Sequence, residues 1–168
     1  VMILHMMITL SFVQLPVTLL NFDMTLDSHW TVYLPVLGAS IVGLIIMMGA
    51  ARGRTPKSLL VTGVVFMGGA FLALSLEDHS WWWVTAAVVL FFTGFNLLEA
   101  TLPSMLSKLA PAGAKGTAMG VYSTSQFLGA FLGGTLGGLL ANTWGLNAVF
   151  IGCAVLALAW WVAMWRMP

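Results

Sequence analysis

The chain has 168 residues, of which 60% are hydrophobic and only 7% are charged, and its formal net charge is +1. Soluble domains carry about a quarter charged residues, so this composition excludes an ordinary soluble domain. The small net charge includes no basic patch of the kind that binds nucleic acid. We therefore expect a membrane protein with no nucleic-acid partner.

Six apolar stretches follow one another along the chain, and each is long enough to cross a bilayer core of about 30 Å. We expect Pro103 to interrupt the fourth stretch near its end, whereas Thr55 followed by Pro56 is typical of a helix start. The predicted spans are residues 2–21, 31–51, 58–76, 81–106, 116–141 and 143–165.

The charged residues predict how these spans are oriented. Lysine and arginine occur only in alternate connections and at the C-terminal end, whereas the other connections carry only acids or no charge. Because cytoplasmic loops are enriched in Lys and Arg, we expect both termini to be cytoplasmic. The six cations are Arg52, Arg54, Lys57, Lys108, Lys115 and Arg166.

The spans divide into two groups of three, in residues 1–80 and 81–168. Since three is an odd number, the second group must be inverted relative to the first, as in transporters with internal inverted repeats. The predicted fold is an all-α membrane protein with six transmembrane helices arranged as a 3+3 inverted repeat.

Three side-chain amides fall within spans: Gln14, Asn96 and Gln126. At membrane depth such groups must face protein or a water-filled cavity. Two interpretations stay open, namely hydrogen bonds between helices and the lining of a substrate cavity. Tyr122 begins the polar run that ends at Gln126 and belongs to the same candidate lining.

Glu99 is the one acidic residue well inside a span, and an ionisable residue there is a functional candidate because its burial is unfavourable. With the fourth span ending at residue 106, Glu99 would lie about 10 Å from the helix end. We expect an ion pair with a cation elsewhere in the fold. Proton coupling and a carboxylate that simply reaches the interface are the alternatives.

The fifth span contains glycines at spacings of four residues, which allow helices to approach closely in lipid. They indicate either packing within this six-helix unit or a smooth face against a second unit. The glycines are Gly116, Gly120, Gly129, Gly133, Gly134, Gly137 and Gly138.

The remaining reactive residue types indicate no further chemistry. The basic group Arg52, Arg54 and Lys57 could bind lipid headgroups or act in gating, although orientation alone explains it. The single cysteine, Cys153, permits no intrachain disulfide, and the histidines show no metal-ligand spacing. We expect no metal, no cofactor and no enzymatic activity.

Two segments resemble bacterial drug-antiporter-like transporters of the major facilitator superfamily, closest to their YajR branch. The first begins with Phe95-Asn-Leu-Leu-Glu-Ala-Thr-Leu-Pro-Ser104 and continues through Lys108 to Pro111-Ala-Gly113; it resembles the tenth helix and the following loop. The second, Lys115-Gly-Thr-Ala-Met-Gly-Val-Tyr-Ser-Thr-Ser-Gln-Phe-Leu-Gly129, resembles the start of the eleventh helix. The resemblance places this chain at helices seven to twelve of a twelve-helix transporter.

The resemblance implies two six-helix halves around a central cavity, with this chain as the C-terminal half and the N-terminal half as its missing partner. It also implies that a charged loop of that half docks near Gly120 and Tyr122, and that Glu99 could meet a basic residue there. Proton-coupled efflux of small amphipathic compounds by alternating access, in the bacterial inner membrane, is the implied function.

Two alternatives remain at this stage. One is a membrane subunit or scaffold that binds partner helices without transporting. The other is a six-helix half-transporter that dimerises. Because the chain begins with Val1, we interpret it as a segment of a longer protein.

Overall fold

The computed structural model describes residues 1–51, 53, 55–76 and 80–166. Over these ranges, two short 3-10 turns, Leu26–Ser28 and Ala112–Ala114, lie between long α-helices. The six long helices are α1 (Met2–Leu20), α2 (Trp30–Ala50), α3 (Pro56–Ser75), α4 (Trp81–Leu109), α5 (Lys115–Trp144) and α6 (Asn147–Trp165).

Side-chain caps define the starts of two helices. The Thr55 hydroxyl accepts a hydrogen bond from the Ser58 backbone N–H at 3.3 Å, and Pro56 occupies the first helical position. The Ser80 hydroxyl likewise accepts from the Trp83 N–H at 3.3 Å. Each cap satisfies one of the backbone donors that a helix leaves unpaired at its start, as predicted for Thr55.

Two helix boundaries differ from the sequence prediction. Pro103 does not interrupt the fourth helix, because α4 continues through it to Leu109. The fifth helix runs to Trp144, so Thr143 belongs to α5 and not to the start of α6. The chain turns at Gly145, whose φ of +84° is a conformation that favours glycine.

Five of the helical segments in the described residues are long and apolar enough to cross a membrane. They are α1, α3, α4, α6 and the segment Leu26–Ala50, which includes α2. The remaining long helix, α5, has 30 residues, but its glycines, serines and threonines make it less apolar. The prediction of an all-helical membrane protein is confirmed, and five of the six predicted spans meet both requirements.

The helices pack most extensively as the pairs α3–α4 and α1–α5, while α6 lies against α3 and α2 against α4. Gly63 and Gly94 bring α3 and α4 together, since a Cβ at Gly94 would lie 2.7 Å from the Gly63 carbonyl oxygen. The core between the helices includes Leu4, Met7 and Phe71, all fully buried.

Candidate functional site

Three polar side chains from three different helices meet within the bundle. Gln126 of α5 donates from Nε2 to Glu99 Oε1 of α4 at 2.9 Å, and the same nitrogen lies 3.0 Å from His5 Nε2 of α1. His5 Nε2 is 3.9 Å from the second carboxylate oxygen, Glu99 Oε2. We call His5, Glu99 and Gln126 the polar triad.

The contacts of His5 define which of its nitrogens carries the proton. An amide nitrogen only donates, so the contact with Gln126 requires His5 Nε2 to accept. The proton of a neutral His5 then sits on Nδ1, which faces the Val1 carbonyl at 3.4 Å. In this hydrogen-bonding pattern, both hydrogens of the Gln126 amide are in use.

Glu99 retains an unused oxygen in this arrangement. The residue is about one-third exposed, yet its Oε2 atom is buried and accepts no hydrogen bond. If His5 gains a proton on Nε2, that nitrogen becomes a donor that faces Glu99 Oε2 and no longer accepts from Gln126. The triad thus has two hydrogen-bonding patterns that differ by one proton.

Glu99 also lies farther from the end of its helix than the sequence indicated. Because α4 extends to Leu109, Glu99 is ten residues from the end of the helix. At 1.5 Å per residue this is about 15 Å and not about 10 Å.

The triad belongs to a longer strip of side chains along facing sides of α1 and α4. His5 and Phe12 are seven residues apart, and Phe92, Asn96 and Glu99 are spaced by four and three, so each set shares one helix face. At one end of the strip the Phe12 and Phe92 rings meet edge to face, with their centroids 6.3 Å apart. At the other end His5 lies next to Glu99.

Asn96 is the point at which α2 joins this strip. Its Nδ2 donates to the Ser40 hydroxyl at 3.2 Å. Ser40 is fully buried, and Asn96 is partly buried. Asn96 and Gln126 therefore each form a hydrogen bond to another helix, which was one of the two interpretations of these amides. The two hydrogen bonds are separate from each other.

Gln14 lies elsewhere. It is 5% exposed and belongs to the buried stripe of α1 that contains Met7, Ser11 and Thr18, and its Oε1 accepts no hydrogen bond. The Gln14 side chain forms no hydrogen bond with Asn96 or Gln126.

Tyr122 and Gly120 lie nearer the start of α5. Tyr122 is one helical turn before Gln126, on the same face, and its buried hydroxyl forms no hydrogen bond. Gly120 has open space around it, because a Cβ there would have no neighbour within 4 Å. The predicted docking surface is accordingly uncovered at Gly120 in this chain.

The basic loop is only partly described. Lys57 is the second residue of α3 and is partly buried. Arg52 and Arg54 lie outside the described residues, so the proposed cluster of three cations stays a prediction.

The glycines of α5 divide into two groups. Gly129 and Gly133 lie directly against the Met2 and Met6 carbonyl oxygens of α1, and Gly137 packs against Val13. By contrast, a Cβ at Gly138 would have no neighbour within 4 Å. The row Gly129, Gly133 and Gly137 therefore packs against α1 inside the six-helix unit, which was one of the two interpretations of these glycines.

His5 is the member of the triad that sequence reasoning missed. It was considered only as a metal ligand, for which its spacing to other histidines is unsuitable. Its position within the first span, seven residues before Phe12, was the available signal. A titratable side chain inside a span is a functional candidate by default.

Comparison with known proteins defines the class to which this fold and site belong. Residues 1–168 match the family described as the Major Facilitator Superfamily. The chain therefore belongs to the major facilitator superfamily of membrane proteins. This confirms the resemblance seen in the two motifs of α4 and α5.

Individual relatives are named as transporters. The chain is 40% identical over 163 residues to the inner membrane transport protein YajR of Escherichia coli K12, covering 95% of this chain and 36% of YajR. It is 33% identical over 137 residues to the tetracenomycin C resistance and export protein of Streptomyces glaucescens, covering 73% of this chain and 25% of that protein. An uncharacterized transporter of Buchnera aphidicola, BU466, is 27% identical over 132 residues, covering 78% of this chain and 34% of BU466. The chain thus spans about a third or less of the length of these relatives.

Proposed function

We propose that this chain is the C-terminal half of a proton-coupled transporter that exports small amphipathic compounds across the bacterial inner membrane by alternating access. Its partner in this proposal is an N-terminal six-helix half, and both of its termini are cytoplasmic. The membership of the superfamily and the names of the relatives support transport. The export protein among them supports the direction.

The observation that carries proton coupling is the polar triad. A carboxylate inside an apolar helix is unfavourable unless it is paired, and Glu99 is held by one side chain from α1 and one from α5. Both His5 and Glu99 can gain or lose a proton, so the contacts between three helices depend on the protonation state of the triad.

The proposed proton step follows from the contacts. A proton on His5 breaks the acceptor role of Nε2 toward Gln126 and pairs the imidazolium with Glu99 Oε2, 3.9 Å away. A proton on Glu99 instead removes the negative charge that would pair with a protonated His5. Each change alters how strongly α4 is held to α1 and α5, which is how proton binding would shift the equilibrium between transporter states.

The substrate part of the proposal assigns the cavity wall to the strip that contains Phe12, Asn96 and Glu99. Phe12 is 48% exposed, so the strip offers apolar ring surface next to amide and carboxylate groups. This combination suits compounds that are both apolar and hydrogen bonding. Tyr122 extends the same wall beyond Gln126, whereas Gln14, two residues after Phe12, lies on the opposite side of α1 and is left out of this wall.

Reconstitution of the complete reading frame tests the proposal. The protein is placed in liposomes that contain a pH-sensitive dye, and ethidium is added as the amphipathic probe. We expect ethidium movement to be accompanied by proton movement in the opposite direction. Absence of ethidium transport would contradict the export proposal, whereas ethidium transport without proton movement would contradict coupling alone.

A matched pair of variants tests the role of the triad. Glu99→Gln keeps an oxygen that can accept from Gln126 but removes the titratable charge, so we expect coupled proton movement to be lost. Asp27→Asn also replaces a carboxylate by an amide, but at an exposed position, and should leave coupled proton movement intact. Equal proton movement in both variants would remove Glu99 from the mechanism.

A further inference from the structure

A groove runs along the surface of the bundle between α3 and α6. One part has a volume of about 250 Å³ and is lined by side chains that include Val65, Leu72 and Leu158. A second part of about 310 Å³ is lined by Lys57, Val61, Trp161, Met164 and Trp165. Because Trp161 lines both parts, they adjoin along one helix seam.

Small residues form the floor of the groove and large ones form its rims. Gly68 and Ala157 bring the two helices together, since a Cβ at Gly68 would lie 3.2 Å from that of Ala157. The rims are exposed: Val65 is 50%, Leu72 60% and Leu158 59% accessible. In a membrane-spanning bundle, such an apolar surface contacts hydrocarbon chains.

The end of the groove near the start of α3 is different in character. Lys57 lines it, and the Trp161 and Trp165 rings meet edge to face at 5.4 Å beside it. Arg166 follows directly at the end of α6. Tryptophan is enriched where the bilayer meets water, and basic pockets between membrane helices bind anionic headgroups.

The groove is longer than the share of the hydrocarbon core that one leaflet contributes. Lys57 and Leu72 are fifteen residues apart on α3, which corresponds to about 22 Å along the helix. One leaflet contributes about 15 Å to the hydrocarbon core. An acyl chain that starts at the headgroup level near Lys57 can therefore follow the groove past Val65 toward Leu72.

We propose that the groove between α3 and α6 is a binding site for an anionic phospholipid, with the phosphate near Lys57 and an acyl chain along Val65 and Leu72. The cation at one end and the uniformly apolar remainder match the two parts of such a molecule. The site is separate from the polar triad, and the proposal goes beyond the proposed transport function and stands without it.

Retention of lipid by the purified complete protein tests this site. The protein in detergent is mixed with dioleoylphosphatidylglycerol or with dioleoylphosphatidylcholine, and bound lipid is counted by native mass spectrometry. We expect a preference for phosphatidylglycerol that Lys57→Gln reduces about fivefold, because a basic residue near the surface contributes roughly that much to anionic lipid binding. Lys115→Gln, at an exposed cation outside the groove, serves as the control and should retain the preference.

A second pair of variants tests the acyl part of the site. Val65→Trp fills the groove and should lower retention of both lipids, whereas Val121→Trp, on an exposed position of α5, should lower neither. Unchanged retention in Val65→Trp, or an equal loss of preference in Lys57→Gln and Lys115→Gln, would overturn the proposal. Because no transport is measured, these outcomes are independent of the test of proton coupling.

Discussion

Asn96 on α4 and Ser40 on α2 form a hydrogen bond in which the serine hydroxyl is used twice. Asn96 Nδ2 donates to Ser40 Oγ at 3.2 Å, and Ser40 Oγ in turn donates to the Leu37 carbonyl at 2.8 Å. This contact joins a helix that lies mainly at the edge of the bundle to the helix that carries Glu99.

Removing either partner should weaken the attachment of α2. We expect Ser40→Ala and Asn96→Ala each to destabilise the fold, with an interaction energy of about 0.6 kcal/mol in a double-mutant cycle, as is usual for interhelical hydrogen bonds in membranes. The free energy of unfolding in mixed detergent micelles measures it. Fully additive losses would mean that the hydrogen bond contributes nothing.

The packing of α5 on α1 predicts that alanine has different effects at two glycines of α5. A Cβ at Gly133 would overlap the Met6 carbonyl, whereas a Cβ at Gly138 would have no neighbour within 4 Å. Gly133→Ala should therefore destabilise the fold by about 1–3 kcal/mol, the usual range for overpacking. Gly138→Ala is the matched control and should be neutral or slightly stabilising, because alanine favours the helix. Equal stabilities of the two variants would contradict the close approach of α1 and α5.

The hydrogen bonds of His5 predict its tautomer. Neutral His5 should carry its proton on Nδ1, because Nε2 accepts from Gln126. Nitrogen NMR shifts of the imidazole in protein labelled at histidine distinguish the two tautomers, with His5→Asn used to assign the signal. In Gln126→Leu the constraint is gone, and we expect the other tautomer to become populated. A neutral His5 with its proton on Nε2 in the unmodified protein would be inconsistent with the triad.

The cap of α3 can be tested at an exposed site. Thr55→Ala removes the acceptor for the Ser58 N–H and should cost about 1 kcal/mol of stability. Thr135→Ala, at an exposed threonine whose hydroxyl donates only to the Phe131 carbonyl of its own helix, is the control and should cost less. Thermal unfolding of the two variants under one detergent condition compares them.

The sequence was most informative where a local rule decides the structure. Thr55 and Pro56 identify a helix start because one supplies an acceptor and the other needs no donor. Apolar length identified the helices themselves. At Pro103 the local rule failed, since α4 accommodates the proline and continues to Leu109.

The site was harder to predict because its contacts join distant parts of the chain. Glu99 was recognised from its position inside a span, and its partner was expected to be a cation elsewhere in the fold or a basic residue of the N-terminal half. The structure pairs it with Gln126 and His5, which are 27 residues after it and 94 before it along the chain. No periodicity within one helix reveals such contacts.

The glycine row of α5 has a mechanical consequence. Because the Met2 and Met6 carbonyls lie directly against Gly129 and Gly133, the backbones of α1 and α5 are in close contact at these two positions. We therefore expect α1 and α5 to move together and to keep His5 and Gln126 at a nearly constant separation. Glu99, carried by α4, is then the member of the triad whose distance to the other two can change.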